Sequence, residues 1–273
     1  MLLGFVCEHS NHWLLSFAEK CIGVYVQRIG GICLNIIQLK GVHQEYQSGP
    51  IPEVILENIT KSFAAGKVYA VMGPSGSGKT TLLNIIGGIL RPVSGEVWLD
   101  GENLVKLSEK KLGQLRLNKV GYIFQSFNLL PFLTVEENIF LPIRLVKKDV
   151  KPYLKRYTSL LKSLGIEGKK DVYIHELSGG QQQRVAIARC LLMQPKVILA
   201  DEPTGNLDST NGDQFMNLLT AMAREHQITV ILVTHDEHIA SFADEIIDMK
   251  DGCITTNSIR GDKGNENIRR ANL

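Results

Sequence analysis

The hydrophobic positions of this chain fall into short apolar runs that alternate with longer stretches of helical period. The short runs are rich in Ile, Leu and Val and predict buried strands. These strands are expected at 33–40, 53–58, 67–72, Lys196–Asp201, Ile228–Thr234 and Glu245–Met249. Because strands and helices alternate, the pattern favours an α/β fold with a largely parallel sheet.

The same pattern divides the chain into segments of different character. Between about 126 and 192 the strand signal fades and helical patterning dominates, which predicts an inserted α-helical subdomain. Residues 1–32 have no clear period and are interpreted as an N-terminal extension of unassigned role. We expect the folded domain to span 33–258, with a polar, solvated C-terminal tail at 259–273.

Composition narrows the class of protein. The 273 residues are 44% hydrophobic and 21% charged, which is ordinary for a globular domain and excludes disordered chains and disulfide mini-proteins. A formal net charge of +2 is too small to indicate a nucleic-acid partner. No apolar run is long enough for a transmembrane helix, so we expect any membrane role to come through a partner chain.

The cysteines point to a reducing compartment. There are five, scattered without a Cys-x-x-Cys pair, which favours small core residues over disulfides. Four residues of the N-terminal extension leave a metal site open as an alternative to a flexible segment, although their spacing matches no familiar zinc pattern. They are Cys7, His9, His12 and Cys21.

A phosphate-binding loop follows the predicted strand that ends at Met72. The pattern is glycine, four residues, then Gly-Lys-Thr, with a helix predicted from about Lys79. Glycines let successive backbone N–H groups point at phosphate oxygens, and the helix adds its positive N-terminal end. Lys79 can reach the β- and γ-phosphates, Thr80 can bind Mg²⁺ and Thr81 can donate to a phosphate. The predicted nucleotide-binding residues are Gly73, Pro74, Ser75, Gly76, Ser77, Gly78, Lys79, Thr80 and Thr81.

A pair of carboxylates ends the strand Lys196–Asp201. Side chains alternate along a strand, so Asp201 and Glu202 point in different directions. Asp201 is suited to orient Mg²⁺ and its water, and Glu202 is suited to polarise a water that attacks the γ-phosphate. A solvent-facing strand end is the alternative, and the phosphate loop argues against it.

A second anion-binding helix start is predicted at Leu177-Ser178-Gly179-Gly180-Gln181, before a helical run at Gln182–Met193. Ser178 is typical of an N-cap, and the glycines expose backbone N–H groups. Because the chain already has its own phosphate loop, this second terminus is explained if it serves the nucleotide of another subunit. Together, these motifs resemble those of the ATP-binding subunits of ABC transporters, over about 33–258.

The resemblance implies a P-loop NTPase fold with a RecA-like core, an antiparallel β subdomain and an inserted α-helical subdomain. It implies ATP and Mg²⁺ as cofactors, with Thr80, Gln125 and Asp201 as metal ligands. It assigns Gln125 to the Q-loop and makes His235, the switch histidine, catalytic together with Glu202 and Gln125. Further residues it places against the nucleotide are Tyr46, which stacks on adenine, Ser178, Gly179, Gly180, Gln181, and Asp208 of the D-loop.

The segment Phe124–Pro131 resembles the macrolide-export, lipoprotein-release and bacitracin-resistance branch. This implies a homodimer that drives an integral-membrane permease from the cytoplasmic face of the membrane, to which the chain binds peripherally. The apolar segment Phe127–Leu145 is interpreted as subdomain core, part of which can line a groove for the permease. A force-transmitting signalling or cell-division ATPase that moves no solute stays open as an alternative.

Overall fold

The computed structural model describes residues 28–29, 32–33, 35–47 and 50–259. Cys7, His9, His12 and Cys21 lie outside the described residues, as does the tail from residue 260 onward. The described residues form strands in the following chain order. They are β1 (Arg28–Ile29), β2 (Ile32–Cys33), β3 (Asn35–Tyr46), β4 (Glu53–Ala64), β5 (Val68–Met72), β6 (Ser94–Leu99), β7 (Glu102–Asn103), β8 (Val120–Phe124), β9 (Val197–Asp201), β10 (Thr229–Val233), β11 (Glu245–Lys250) and β12 (Cys253–Ile259).

Helices occupy the connections between these strands. They are α1 (Lys79–Ile86), α2 (Glu109–Lys119), α3 (Val135–Leu145), α4 (Leu154–Ser163), α5 (Gly179–Leu192), α6 (Ser209–Glu225) and α7 (Glu237–Ala240). In the part of the chain that the structure describes, none of these helices combines the length and apolarity needed to cross a bilayer.

A mixed six-stranded sheet forms the centre of the molecule, in the order β12-β11-β5-β10-β9-β8. The strands from β11 to β8 run parallel, and β12 pairs antiparallel with β11 at the edge. A second, antiparallel sheet has the order β4-β3-β6-β7. Both sheets agree with the predicted α/β fold carrying an antiparallel β subdomain.

The central strands are buried on both faces, as the parallel topology requires. In β9, Ile198 and Ala200 contribute to a core beneath α5 and α6, while Val197 and Leu199 face a second core formed with α1 and the antiparallel sheet. Fully burying a side chain of this size contributes about 1.5–3 kcal/mol, so the two cores fix the position of each strand end.

Between β8 and β9 the chain is mainly helical, with α3, α4 and α5 packed around Ile139 and Phe140. A capping box starts α3, because Thr134 accepts from the backbone N–H of Glu137 and the Glu137 side chain accepts in return. Phe127, at the start of the apolar segment interpreted as subdomain core, is also buried. By contrast, Phe132 is 69% exposed.

Candidate functional site

The ends of four parallel strands bring the predicted site residues to one edge of the central sheet. Val233 of β10 is in register with Val71 of β5 and with Asp201 of β9, and Asp201 is in register with Phe124 of β8. The residues that follow these strands therefore converge. In open parallel sheets the carboxyl edge is where ligands bind.

The phosphate loop joins β5 to α1 and folds around the Lys79 side chain. Lys79 is only 9% exposed, and its ammonium donates hydrogen bonds of 2.7 Å to the carbonyls of Gly73 and of Pro74. Glycine is required at Gly78, where φ is +92° and a Cβ would lie 2.7 Å from the Ile55 carbonyl oxygen. No side chain caps α1, so its first backbone N–H groups are available to a ligand.

A cavity of about 730 Å³ opens beside this loop. Ten of its lining residues were predicted from the sequence, and three others, Glu53, Ile55 and Val233, were not. The lining residues are Glu53, Ile55, Ser75, Gly76, Ser77, Gly78, Lys79, Thr80, Thr81, Asp201, Glu202, Val233 and His235. Alternation along β4 is the signal that could have placed Glu53 and Ile55 on one face.

Two oxygen donors meet at the start of α1. The Thr80 hydroxyl donates to Oδ1 of Asp201 at 3.3 Å. Burial raises the pKa of the Asp201 carboxyl above its ordinary value, and the hydrogen bond from Thr80 acts in the opposite direction. No group of three or more His, Cys, Asp or Glu residues suited to a metal occurs among the described residues. A hydroxyl and a carboxylate do fit Mg²⁺, which keeps waters and substrate oxygens as its other ligands.

A second pair of functional side chains faces the same cavity. Nδ1 of His235 lies 2.8 Å from Oε1 of Glu202. This hydrogen bond raises the pKa of His235 above its ordinary value. Glu202 has a φ of +45°, a conformation that few non-glycine residues adopt, and its backbone N–H donates to the Val233 carbonyl.

The structure places Gln125 against the D-loop, and it is not among the described residues that line the cavity. Its Nε2 donates to Oδ1 of Asn206 at 3.3 Å, and Nδ2 of Asn206 donates to the Gln125 carbonyl at 3.2 Å. Asn206 belongs to the D-loop segment Asn206-Leu207-Asp208, but its contact with Gln125 was not predicted from the sequence. Asp208 caps α6, and hydrogen bonds from Asn211 hold the pKa of its carboxyl below the ordinary value.

The helix start at Ser178 is built as predicted but lies away from this cavity. Ser178 Oγ accepts from the Gln181 backbone N–H at 3.4 Å, and Gln181 Oε1 accepts from the Ser178 N–H at 3.2 Å. The helix begins at Gly179, three residues before the predicted run. None of the residues from Ser178 to Gln181 is among the described residues that line the phosphate-loop cavity.

Tyr46 lies near the cavity but not in its lining. It pairs with Glu53 across β3 and β4, and its side chain is 43% exposed. Glu53 itself lines the cavity. Stacking of Tyr46 on adenine therefore stays a prediction.

Sequence comparison matches the chain to one family. The family model described as ABC transporter matches residues 56–205. ABC transporter ATP-binding protein YxdL of Bacillus subtilis is 42% identical over 228 residues, covering 84% of this chain and 88% of YxdL. Macrolide export ATP-binding/permease protein MacB of Shigella flexneri is 42% identical and covers 81% of this chain. The match covers 34% of MacB, so the chain spans about a third of that relative.

Solved structures agree with the sequence comparison. The dimeric structure of MJ0796, a bacterial ABC transporter cassette, is 41% identical with a TM-score of 0.73, covering 82% of this chain and 98% of that one. A dimeric post-hydrolysis state of MJ0796 bound to ADP and Pi has the same TM-score at 40% identity, with the same coverage of both chains. The predicted P-loop NTPase fold is confirmed, and the named relatives favour transport over a signalling role. The chain belongs to the ABC transporter family, as one of its ATP-binding subunits.

Proposed function

We propose that the chain hydrolyses ATP in the presence of Mg²⁺ and that hydrolysis drives a partner permease. The observation that carries the proposal is the Glu202–His235 pair, 2.8 Å apart, in the same cavity as the phosphate loop. A carboxylate beside an imidazole, facing a lysine and a row of backbone N–H groups, is suited to phosphoryl transfer to water.

Each side chain has one task in this mechanism. Lys79 and the N–H groups at the start of α1 bind phosphate oxygens through charge-assisted hydrogen bonds. Glu202 accepts a proton from water as the water oxygen bonds to the γ-phosphorus and the bond to the ADP oxygen breaks. His235, oriented by Glu202, donates to the oxygens of the transferred phosphoryl group.

Thr80 and Asp201 are the residues that would hold Mg²⁺, and Gln125 is the third proposed ligand. When bound, the cation neutralises charge on the phosphate oxygens. The support for this assignment is the 3.3 Å approach of the Thr80 hydroxyl to the Asp201 carboxylate, which places two hard oxygen donors at the mouth of the phosphate loop.

The working unit in this proposal is a pair of chains. Ser178, Gly179, Gly180 and Gln181 of one copy face the nucleotide held by Lys79 of the other, and Asp208 lies beside that junction. Two facts support this arrangement. Among the described residues, none at the start of α5 lines the chain's own cavity. The similar cassette MJ0796 forms a dimer. A head-to-tail pair of this kind contains two equivalent sites.

The permease is the partner through which the chain reaches the cytoplasmic face of the membrane. The support is that the relative MacB is a macrolide export ATP-binding/permease protein. Within the apolar segment predicted to contact the permease, Leu129 and Leu130 are half-buried and Phe132 is exposed. These three side chains form the docking surface in this proposal.

Replacing Glu202 with Gln tests the hydrolytic mechanism. The amide keeps the size of the side chain but cannot accept the proton, so kcat is expected to fall by about 10²- to 10⁴-fold. ATP affinity should be retained, and an ATP-stabilised dimer should accumulate during size-exclusion chromatography. Phosphate release and ATP titration measure the two effects separately.

Glu237→Gln is the matched control for this variant. It makes the same charge change two residues from His235, on an exposed side chain outside the residues that line the cavity. Its kcat should match that of the unaltered protein. If Glu202→Gln hydrolysed ATP with an unchanged kcat, Glu202 would not be the base.

A further inference from the structure

The turn that follows Gln125 is held in an unfavourable backbone conformation. Phe127 has a φ of +57° and Asn128 a φ of +46°, so two consecutive non-glycine residues occupy the left-handed region. L-residues visit this region singly and rarely. Within the turn, the Phe127 N–H donates to the Phe124 carbonyl at 2.9 Å, and the Ser126 hydroxyl donates to the Asn128 side chain at 2.7 Å. Such a turn persists only where its surroundings hold it.

A single arginine from another element holds this turn. Nη1 of Arg189 donates to the Asn128 carbonyl at 2.7 Å, and Nη2 donates to the Phe127 carbonyl at 2.5 Å. The planar guanidinium fork therefore binds two neighbouring carbonyls at once, which a lysine ammonium cannot reproduce with the same geometry. No carboxylate among the described residues forms an ion pair with Arg189. Burial lowers the pKa of its guanidinium. The hydrogen bonds to the two carbonyls join this buried guanidinium to the turn.

The position of Gln125 is therefore fixed from two sides. On one side, Asn206 of the D-loop exchanges hydrogen bonds with the Gln125 side chain and carbonyl. A Cβ at Gly205 would lie 2.7 Å from Gln125 Nε2, so the D-loop packs closely against it. On the other side, Arg189 holds the backbone two and three residues further along the chain.

We propose that Arg189 is a positioning residue for Gln125 and that it connects Gln125 to the helix that begins at Ser178. This inference rests on the proposed function, since it requires Gln125 to act in hydrolysis. Arg189 lies on α5, about 16 Å along the helix axis from Ser178. A helix of this kind moves as a rigid element, so a shift at its start displaces the carbonyls that Arg189 holds. Contact at Ser178 is in this way communicated to Gln125.

Arg189→Lys tests the contact directly, without nucleotide. The ammonium keeps the charge but not the fork, so amide hydrogen exchange at residues 126–129 should become about tenfold faster. Arg184→Lys is the matched control, because Arg184 lies on the same helix and donates from one nitrogen, Nη1, to the Leu164 carbonyl at 2.9 Å. The control should leave exchange at 126–129 unchanged. Equal exchange in Arg189→Lys and the unaltered protein would overturn the proposal.

A double-mutant cycle with Gln125→Ala tests whether the effect acts through Gln125. Arg189→Lys alone should lower kcat by about tenfold and change ATP affinity by less than about twofold. In the Gln125→Ala background it should cause no further loss. If the two substitutions instead lower kcat by factors that simply multiply, the proposal is overturned. Arg189→Lys would then lower kcat through a structural defect that does not depend on Gln125.

Asn128→Gly gives a second route should Arg189→Lys fail to fold. Glycine adopts the left-handed conformation freely and keeps both carbonyls, but it also releases the turn to other conformations. Exchange at 126–129 should rise, and kcat should fall only when Gln125 is present. A fall of equal size in the Gln125→Ala background would overturn the proposal.

The activities of the unaltered protein and of Gln125→Ala distinguish a failure of the proposed function from a failure of the role of Arg189. If it fails to hydrolyse ATP, the proposed function is wrong whatever Arg189 does. If it is active and Gln125→Ala is impaired, but the cycle is additive, only the role of Arg189 is wrong. If Gln125→Ala is as active as the unaltered protein, Gln125 has no part in hydrolysis and the positioning role of Arg189 is overturned with it.

Discussion

Two helix starts in this molecule carry glycines and both are proposed to face phosphate, yet they are built differently. The start of α1 has Gly78 at the N-cap with a φ of +92° and no side-chain cap. The start of α5 has a complete capping box between Ser178 and Gln181. One helix therefore leaves its first N–H groups for a ligand, whereas the other satisfies one of them internally.

The difference fits the proposal that one terminus binds nucleotide within its own chain and the other acts only across a dimer. The loop before α1 surrounds the Lys79 ammonium and opens into the large cavity of its own chain. The start of α5 closes its capping box without a ligand, and its Ser178 residue is exposed. A pre-organised surface of this kind suits a contact that forms late, when a second chain already holds the nucleotide.

Lys79→Ala should have the largest effect among the variants that test this comparison of the two helix starts. Hydrogen bonds to charged groups contribute about 1.5–3 kcal/mol, so ATP affinity should fall by about 10- to 100-fold. Because the loss belongs to a single chain, isothermal titration of the monomer should detect it. An unchanged titration would show that the phosphate loop does not depend on Lys79.

Ser178→Ala gives a smaller effect of a different kind. Loss of the cap should lower the free energy of unfolding by about 1 kcal/mol. ATP binding by the monomer should be unchanged, while ATP-induced dimerisation of the Glu202→Gln protein should weaken. Thr134→Ala is the matched control, since Thr134 closes the same capping box on α3. It should lose similar stability and dimerise normally; equal dimerisation by the two variants would place Ser178 outside the junction.

The sequence predicted the central strands well because their burial on both faces leaves a continuous apolar run. The strand predicted at 67–72 is observed at Val68–Met72, and that predicted at 228–234 at Thr229–Val233. The edge strands were harder to predict. β4 continues to Ala64, past the predicted end at residue 58. Asn58, with a φ of +50°, lies where the register with β3 shifts, so the sequence alternation is interrupted there. β12 is polar, so its pairing with β11 gave little hydrophobic signal.

The phosphate loop could be predicted because its residues are contiguous, but the contacts between distant segments could not. Gln125 and Asn206 are 81 residues apart, and Arg189 and Phe127 are 62 apart. Only the order of the parallel strands brings Glu202 and His235 to the same cavity. Backbone strain at Glu202 or Asn128 likewise depends on tertiary contacts, since neither residue type requires a positive φ.

The pH dependence of stability through His235 is the smallest of the expected effects. It sharpens the comparison between the two helix starts because the titration of His235 is a property of a single chain. Its folded pKa is raised by the hydrogen bond to Glu202, so the pair stabilises the folded protein fully below the unfolded pKa of about 6.5. That contribution should be lost as the pH rises through the raised folded pKa. Nuclear magnetic resonance titration of the imidazole should give a pKa above 6.5 in the monomer, and Glu202→Gln should return it toward 6.5.

The effect on stability is expected to be small because His235 is largely exposed and solvent screens the pair. The melting temperature of His235→Gln should fall below that of the unaltered protein at low pH, and the difference should shrink above the raised pKa. Ser178→Ala should leave the His235 titration unchanged, since Ser178 is proposed to act only across the dimer. If the pKa of His235 shifted in Ser178→Ala monomers, the two helix starts would be coupled within one chain. The proposal that they act separately in the monomer would then be wrong.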